Sequence, residues 1–179
     1  MNYIPLKNKF LLIDTNVLID FSKYGTFFEE LILDLRKNGI TLLIDQTVKF
    51  EFLRKTDSDK KRKELEKLLK FLDVNELGLD IEKDIIESAI EIANIYEWKK
   101  ELKIELADCF LASVMRKYNT SSQPRLYLAT QNHKHYPKSI FKRIGVETID
   151  RAQDEIHNIG FYVFDKQGFD DLKNEFYKK

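Results

Sequence analysis

Three acids sit in settings where a carboxylate is expensive. Asp14 directly follows the apolar run Phe10-Leu11-Leu12-Ile13. Glu51 lies inside Val48-Lys49-Phe50-Glu51-Phe52-Leu53, and Asp108 inside Leu106-Ala107-Asp108-Cys109-Phe110-Leu111-Ala112. A carboxylate drawn into such surroundings costs free energy unless it is paired, hydrogen-bonded or bound to a metal. Glu105 stands three residues before Asp108, a spacing that puts both on one helix face. Two carboxylates there repel unless a cation lies between them. Oxygen-only donors suit hard divalent ions, and Mg2+ keeps several of its waters in such sites. Taken singly, each acid reads equally well as a helix cap or a surface ion pair.

The surrounding pattern says how the acids could meet. Lys9 to Ile13 reads as a strand buried on both faces, as in a parallel sheet. Asp14, Thr15 and Asn16 then open a helix, with a break over Ser22 to Thr26 and a second helical stretch over Phe27 to Lys37. Asn38-Gly39 is a helix stop. Ile40 to Ile44 repeats the buried strand, and Asp45 caps a helix from Gln46 to at least Arg54. Further helices are expected over Arg62 to Leu72, Ile81 to Tyr96 and Leu102 to Tyr118. Gly78 is read as the separator before the second of these, and Trp98 to Glu101 as a tight link. A short strand is expected within Asp73 to Leu77, and a buried one at Leu126 to Ala129. Asn119 to Pro124 reads as a loop and Thr130 to Pro137 as a polar connection. Ser139 to Arg143 reads as one helical turn, Gly145 to Ile149 as extended, Ile159 to Phe164 as an edge strand and Gly168 to Tyr177 as a terminal helix. Strands alternating with helices predict an α/β fold with a mostly parallel sheet. Such sheets gather ligand-binding groups outside their C-terminal edge, where Asp14 would emerge.

Bulk composition narrows the class. Hydrophobic residues make up 43% of the 179 and charged residues 34%, which fits an ordered soluble domain rather than a disordered chain. The 13 phenylalanines and eight tyrosines favour a packed core with some rings left for surfaces. One cysteine, Cys109, rules out an internal disulfide and fits a reducing compartment. Met1 to Lys9 lacks the apolar stretch of a signal peptide, and no apolar run is long enough for a bilayer, so a cytoplasmic location away from membranes is expected. Thirty basic residues balance 30 acidic ones, so net charge argues neither for nor against nucleic acid. Their distribution is uneven. Lys49, Arg54, Lys55, Lys60 to Lys63 and Lys67 cluster in one stretch, and Lys134, Lys138, Lys142 and Arg143 in another. Such clusters suit a phosphate backbone, or equally a solvated helix face. No glycine-rich phosphate loop, zinc-finger spacing or aromatic RNA-binding motif is present. Cys109 has no nucleophile partner pattern and reads as packing, as does Trp98.

The ordered blocks resemble the PIN-domain nucleases, in particular the VapC-like toxin branch. Ile13-Asp14-Thr15-Asn16-Val17-Leu18 matches the opening strand and acid. Glu51 matches the glutamate after strand two, and Ala107-Asp108-Cys109-Phe110-Leu111-Ala112-Ser113 the third acidic block. Thr130-Gln131-Asn132-His133-Lys134-His135-Tyr136 stands where many members carry Thr-x-Asn-x-x-Asp-Phe, so His135 takes the place of a fourth acid. The resemblance implies an α/β/α sandwich and metal-dependent hydrolysis of RNA, with Asp14, Glu51 and Asp108 holding Mg2+ or Mn2+. Asn16 and Thr130 become orienting groups and Glu105 an auxiliary ligand. His135 could bind a softer ion, touch phosphate, or be a neutral replacement. His133 reads as surface, and His157 receives no role. An antitoxin protein and a second copy of the chain are further implied partners. Two alternatives stand beside this: a housekeeping RNA-processing nuclease, and a catalytically weakened module that binds RNA or protein. The expected organisation is one PIN-like domain over 1–179, with 56–72 a helical elaboration and 150–179 a C-terminal extension.

Overall fold

The computed structural model describes residues 4–54, 56–77, 83–99, 104–119, 124–151 and 155–178. Sequence expectations on Lys55, Gly78, Ile81, Glu101, Leu102 and 120–123 lie outside them.

The first acid follows strand β1 (Phe10–Ile13), whose last three residues are buried. α1 (Thr15–Lys37) runs on without a gap, and the expected break is a kink at Tyr24, with φ −136° and ψ 35°. The helix closes where the sequence placed its stop. Gly39, at φ +68°, adopts the left-handed conformation that ends helices cheaply only for glycine. Its N–H donates to the Arg36 carbonyl at 2.8 Å. β2 (Thr41–Ile44) and α2 (Gln46–Arg54) repeat the unit, followed by α3 (Asp59–Phe71) and the short β3 (Asn75–Glu76). Then come α4 (Lys83–Lys99), α5 (Leu106–Tyr118), β4 (Leu126–Thr130), β5 (Phe141–Arg151), β6 (Glu155–Phe164) and α6 (Lys166–Tyr177).

The sheet order is β3-β2-β1-β4-β6-β5. β1 pairs in parallel with β2 and β4, and β2 in parallel with β3, whereas β6 runs antiparallel to both β4 and β5. Helices flank this mostly parallel sheet, the α/β/α arrangement that the sequence pattern predicts. Leu11, Leu12, Ile13, Leu42 and Leu128 are each at most 3% exposed. Burying such side chains contributes roughly 1.5–3 kcal/mol apiece, and that packing fixes the strand end from which Asp14 emerges.

The C-terminal third departs from the sequence reading. β6 is an interior strand, not an edge. Phe161 and Val163 on one face and Tyr162 and Phe164 on the other are all buried, as two covered faces require. The helical turn expected over Ser139–Arg143 stops at Ile140, because Phe141 pairs with Phe164 and starts β5. Trp98 and Lys99 belong to α4 rather than to a link. Trp98 packs its ring against Phe176 of α6, 5.8 Å between centroids. Phe169 and Leu172 of α6 reach the core. Among the described residues no helix is long and apolar enough to cross a membrane.

Candidate active site

Asp14 occupies the N-cap position of α1, yet its side chain makes no cap bond. Its backbone does that work: the Asp14 carbonyl accepts from Val17 and Leu18, and its N–H donates to Ala129 of β4 at 3.0 Å. The carboxylate is left to face a cavity of about 220 Å³. Glu51 of α2, Asp108 of α5 and Glu105 line the same cavity. The four acids singled out in the sequence therefore come together beyond the C-terminal ends of β1 and β2. Among the described residues lining it, Arg54 is the one cation.

Asp14, Glu51 and Asp108 are each held by neutral donors or by a histidine. Asn16 Nδ2 and the Thr130 hydroxyl both donate to Asp14 Oδ2 at 2.6 Å. The Thr15 hydroxyl donates to Glu51 Oε2 at 2.9 Å. Asp108 receives the Tyr136 hydroxyl on Oδ1 at 3.0 Å and His135 Nδ1 on Oδ2 at 2.6 Å. Glu105 differs from its sequence reading. It precedes α5 as its N-cap instead of sharing a helical face with Asp108, and it is exposed.

Burial dominates the electrostatics. It pushes the Asp14 carboxyl up to about 6; Asp108's charge adds to this, and the Thr130 and Asn16 bonds oppose it. Burial also raises Asp108, against the bond and charge of His135 and the Tyr136 bond, with Glu105 pushing upward. Asp45, which caps α2 through Val48 N at 2.7 Å, is pushed up to about 6 chiefly by burial. The Tyr136 hydroxyl, raised well above its ordinary value by burial, stays protonated and donates to Asp108. Cys109 lies buried beside the site with its thiol pushed up to about 11 by burial, which suits packing and not nucleophilic attack.

Several positioning groups escaped the sequence reading. His133 is half-buried rather than a surface residue. Its Nδ1 meets the Tyr162 hydroxyl at 2.8 Å and its Nε2 the Asn158 carbonyl at 3.1 Å. Gly160 makes room for it: a Cβ there would lie 2.9 Å from the His133 ring. His157 of β6 pairs with the buried Asp20 of α1, which also accepts from Gln131 Nε2 at 2.7 Å. Gln131 N in turn donates to Asn16 Oδ1 at 3.1 Å. β6 thus grips the turn that carries Gln131, Asn132 and His135. The one local signal was Asp20, four residues after Asn16 on the same helix face.

The PIN domain family model matches residues 11–136. The chain belongs to the PIN domain family. The PIN match takes in every acid of the cavity and ends at Tyr136, so β5, β6 and α6 lie beyond it. A solved structure of VapBC2 from Rickettsia felis, bound to a DNA fragment from their promoter, shares the fold. Its TM-score is 0.55 at 21% identity, over 70% of this chain and 89% of that one. Among curated proteins none matches this chain.

A PIN site of this kind implies a metal, and the donor set suits one in type. It is all oxygen, largely withdrawn from water, and faced by a single guanidinium, which is the chemistry of a hard divalent cation. Among the described residues no three His, Cys, Asp or Glu side chains already stand close enough to grip an ion. Both Asp108 oxygens are engaged by His135 and Tyr136.

Proposed function

We propose that this PIN domain is a divalent-metal-dependent endoribonuclease, with Asp14, Glu51 and Asp108 as the residues that hold Mg2+ or Mn2+. The observation that carries this reading is the shared cavity, where Asp14 is pushed up to about 6 while its side-chain hydrogen bonds come from uncharged groups. When bound, the cation supplies Lewis acidity toward water and phosphate oxygen. The chain's own groups do the rest. Asn16 and Thr130 fix the Asp14 carboxylate, Tyr136 and His135 fix Asp108, and Thr15 fixes Glu51. Glu105, exposed at the cavity rim, serves as an auxiliary ligand. Arg54 meets the phosphate. His135 acts here through Asp108 instead of supplying a fourth acid.

The likeness to VapBC2 supports a second, narrower reading, the toxin of a toxin–antitoxin pair, with an antitoxin protein and a second copy of the chain as partners. We read 1–179 as one PIN-like domain, with 56–72 and 150–179 as elaborations.

The test is cleavage of a mixed RNA pool with Mg2+ or Mn2+ by wild type, Asp14→Asn, Asp108→Asn and His135→Asp, each checked for fold by circular dichroism. Either Asn variant should lose cleavage by about a hundredfold or more. His135→Asp should bind Mg2+ more tightly, because it adds a carboxylate beside Asp108. Full cleavage by folded Asp14→Asn and Asp108→Asn would refute the site.

A further inference from the structure

A second cavity of about 800 Å³ lies between α1, α2 and α3. Ile19 and Glu51 line both it and the acid cavity, so the two adjoin. Its floor is apolar, from Phe52, Leu65 and Leu68, and Phe71 stands at its rim 59% exposed. Lys23, Lys61 and Lys67 line it as well.

α3 divides its charges by face. Arg62 pairs with Asp59 and Glu66, and Lys63 with Asp59. Lys61 and Lys67, which line the cavity, have no carboxylate partner among the described residues, and neither has Lys23 of α1. Glu64, which also lines it, pairs with none of them. Arg54 in the acid cavity is likewise unpaired among the described residues. Uncommitted cations therefore extend from the acid cavity into an apolar recess with an exposed aromatic ring, Phe71, at its rim. A protein segment that merely covered the apolar floor would leave these charges unanswered. A phosphate chain answers them, and a base answers the recess. The volume falls within the roughly 300–1,000 Å³ of pockets that enclose small ligands.

We propose that this groove is a single-strand subsite of the nuclease. Phosphates next to the scissile one lie along Arg54, Lys61 and Lys67, and one unstacked base enters the recess against Phe71. The proposal rests on the ribonuclease reading above and adds where the strand flanking the scissile phosphate lies and which residues of α3 hold it. A duplex, which keeps its bases stacked and out of reach, does not fit the recess.

The test is fluorescence anisotropy of the full chain, in EDTA to prevent cleavage, with a short labelled single-stranded RNA and the matching duplex. Lys61→Ala/Lys67→Ala should weaken single-strand binding about tenfold. Its slope of log affinity against log salt should be shallower by about 1.4, the value for two phosphate contacts on a single strand. Phe71→Ala should weaken the single strand about fivefold and leave the duplex unchanged, and Phe71→Trp should restore binding. Lys63→Ala, on the paired face, should match wild type. Wild-type affinity and salt slope in a folded Lys61→Ala/Lys67→Ala protein would overturn the subsite. So would equal losses on single strand and duplex in Phe71→Ala, because a recess for an unstacked base discriminates the two. RNA affinity untouched in both groove variants would make the groove a protein-docking face. Loss of cleavage in Asp14→Asn alongside an unaffected lysine variant refutes the subsite alone. Cleavage that survives Asp14→Asn refutes the nuclease reading itself.

Discussion

Glu91 on α4 receives Arg116 of α5 and Lys173 of α6, each at 2.7 Å, whereas Asp14 receives its side-chain bonds from Asn16 and Thr130, which carry no charge. Both carboxylates are drawn in from the surface, with the Glu91 side chain 16% exposed and Asp14 6%. Their titration differs in sign. Burial works to raise Glu91, but the Lys173 and Arg116 bonds and charges outweigh it and hold the group below its ordinary value. At Asp14 burial wins, and the carboxyl rises to about 6. The first arrangement is finished: cations from two further helices neutralise it and tie α4, α5 and α6 together. The second is left unneutralised by the protein, and a group of that kind stores a demand for a cation. On the proposed reading, the contrast separates a carboxylate used for scaffolding from one kept for chemistry.

Substitutions should exaggerate the contrast. In metal-free protein at neutral pH, Asp14→Asn removes a buried charge while the new amide oxygen can still accept from Asn16 and Thr130. The variant should therefore be more stable than wild type, by at most about 3 kcal/mol, the equivalent of a rise from 3.8 to about 6. Urea unfolding reads this directly, and a loss of stability would mean that Asp14 is a structural anion like Glu91. Glu91→Gln should do the reverse. It should cost about 1–2 kcal/mol, because Arg116 and Lys173 lose a charged acceptor, and RNA cleavage by the surviving folded protein should be unchanged. The smallest effect is expected from Tyr162→Phe, which deletes only the hydroxyl facing His133 Nδ1. Its ring still packs beside Tyr136, 5.8 Å between centroids. If the hairpin of β5 and β6 positions the site, Mn2+ affinity should fall about threefold with little change in melting temperature. An unchanged affinity would confine β6 to scaffolding.

The part of the site that short stretches of sequence can encode was legible. A buried strand that stops at Asp14, a glutamate inside an apolar helical turn and an acid inside Leu106–Ala112 each carried a local energetic anomaly, and all three line one cavity. Parallel pairing of β1 with β2 and β4 followed from their uninterrupted apolar runs. What stayed hidden depends on partners far away in the chain. His133 looked like surface until Asn158 and Tyr162 were brought to it, and His157 had no evident role until Asp20 faced it. Glu105 was misplaced because the helix start at Leu106 is set by the fold around it, and no strong local cap marks it. The interior position of β6 was readable in principle, since both its faces are apolar, but its length alone also suits an edge.

The most direct measurement is the melting temperature of wild type and Asp14→Asn from about pH 5 to about pH 8, with and without Mn2+. Asp14 and Asp45 bind their protons more tightly folded, near 6, than unfolded, near 3.8. Their contribution is therefore fully present below about 3.8 and is lost as pH rises through about 6. Metal-free wild type should lose stability across that window, and Asp14→Asn should lose less of it. At the alkaline end saturating Mn2+ should raise the wild-type melting temperature by about 5 °C or more and leave Asp14→Asn unmoved. A wild type indifferent to Mn2+, or an Asp14→Asn protein stabilised as much as wild type, would contradict the claim that this cavity is a divalent-cation site.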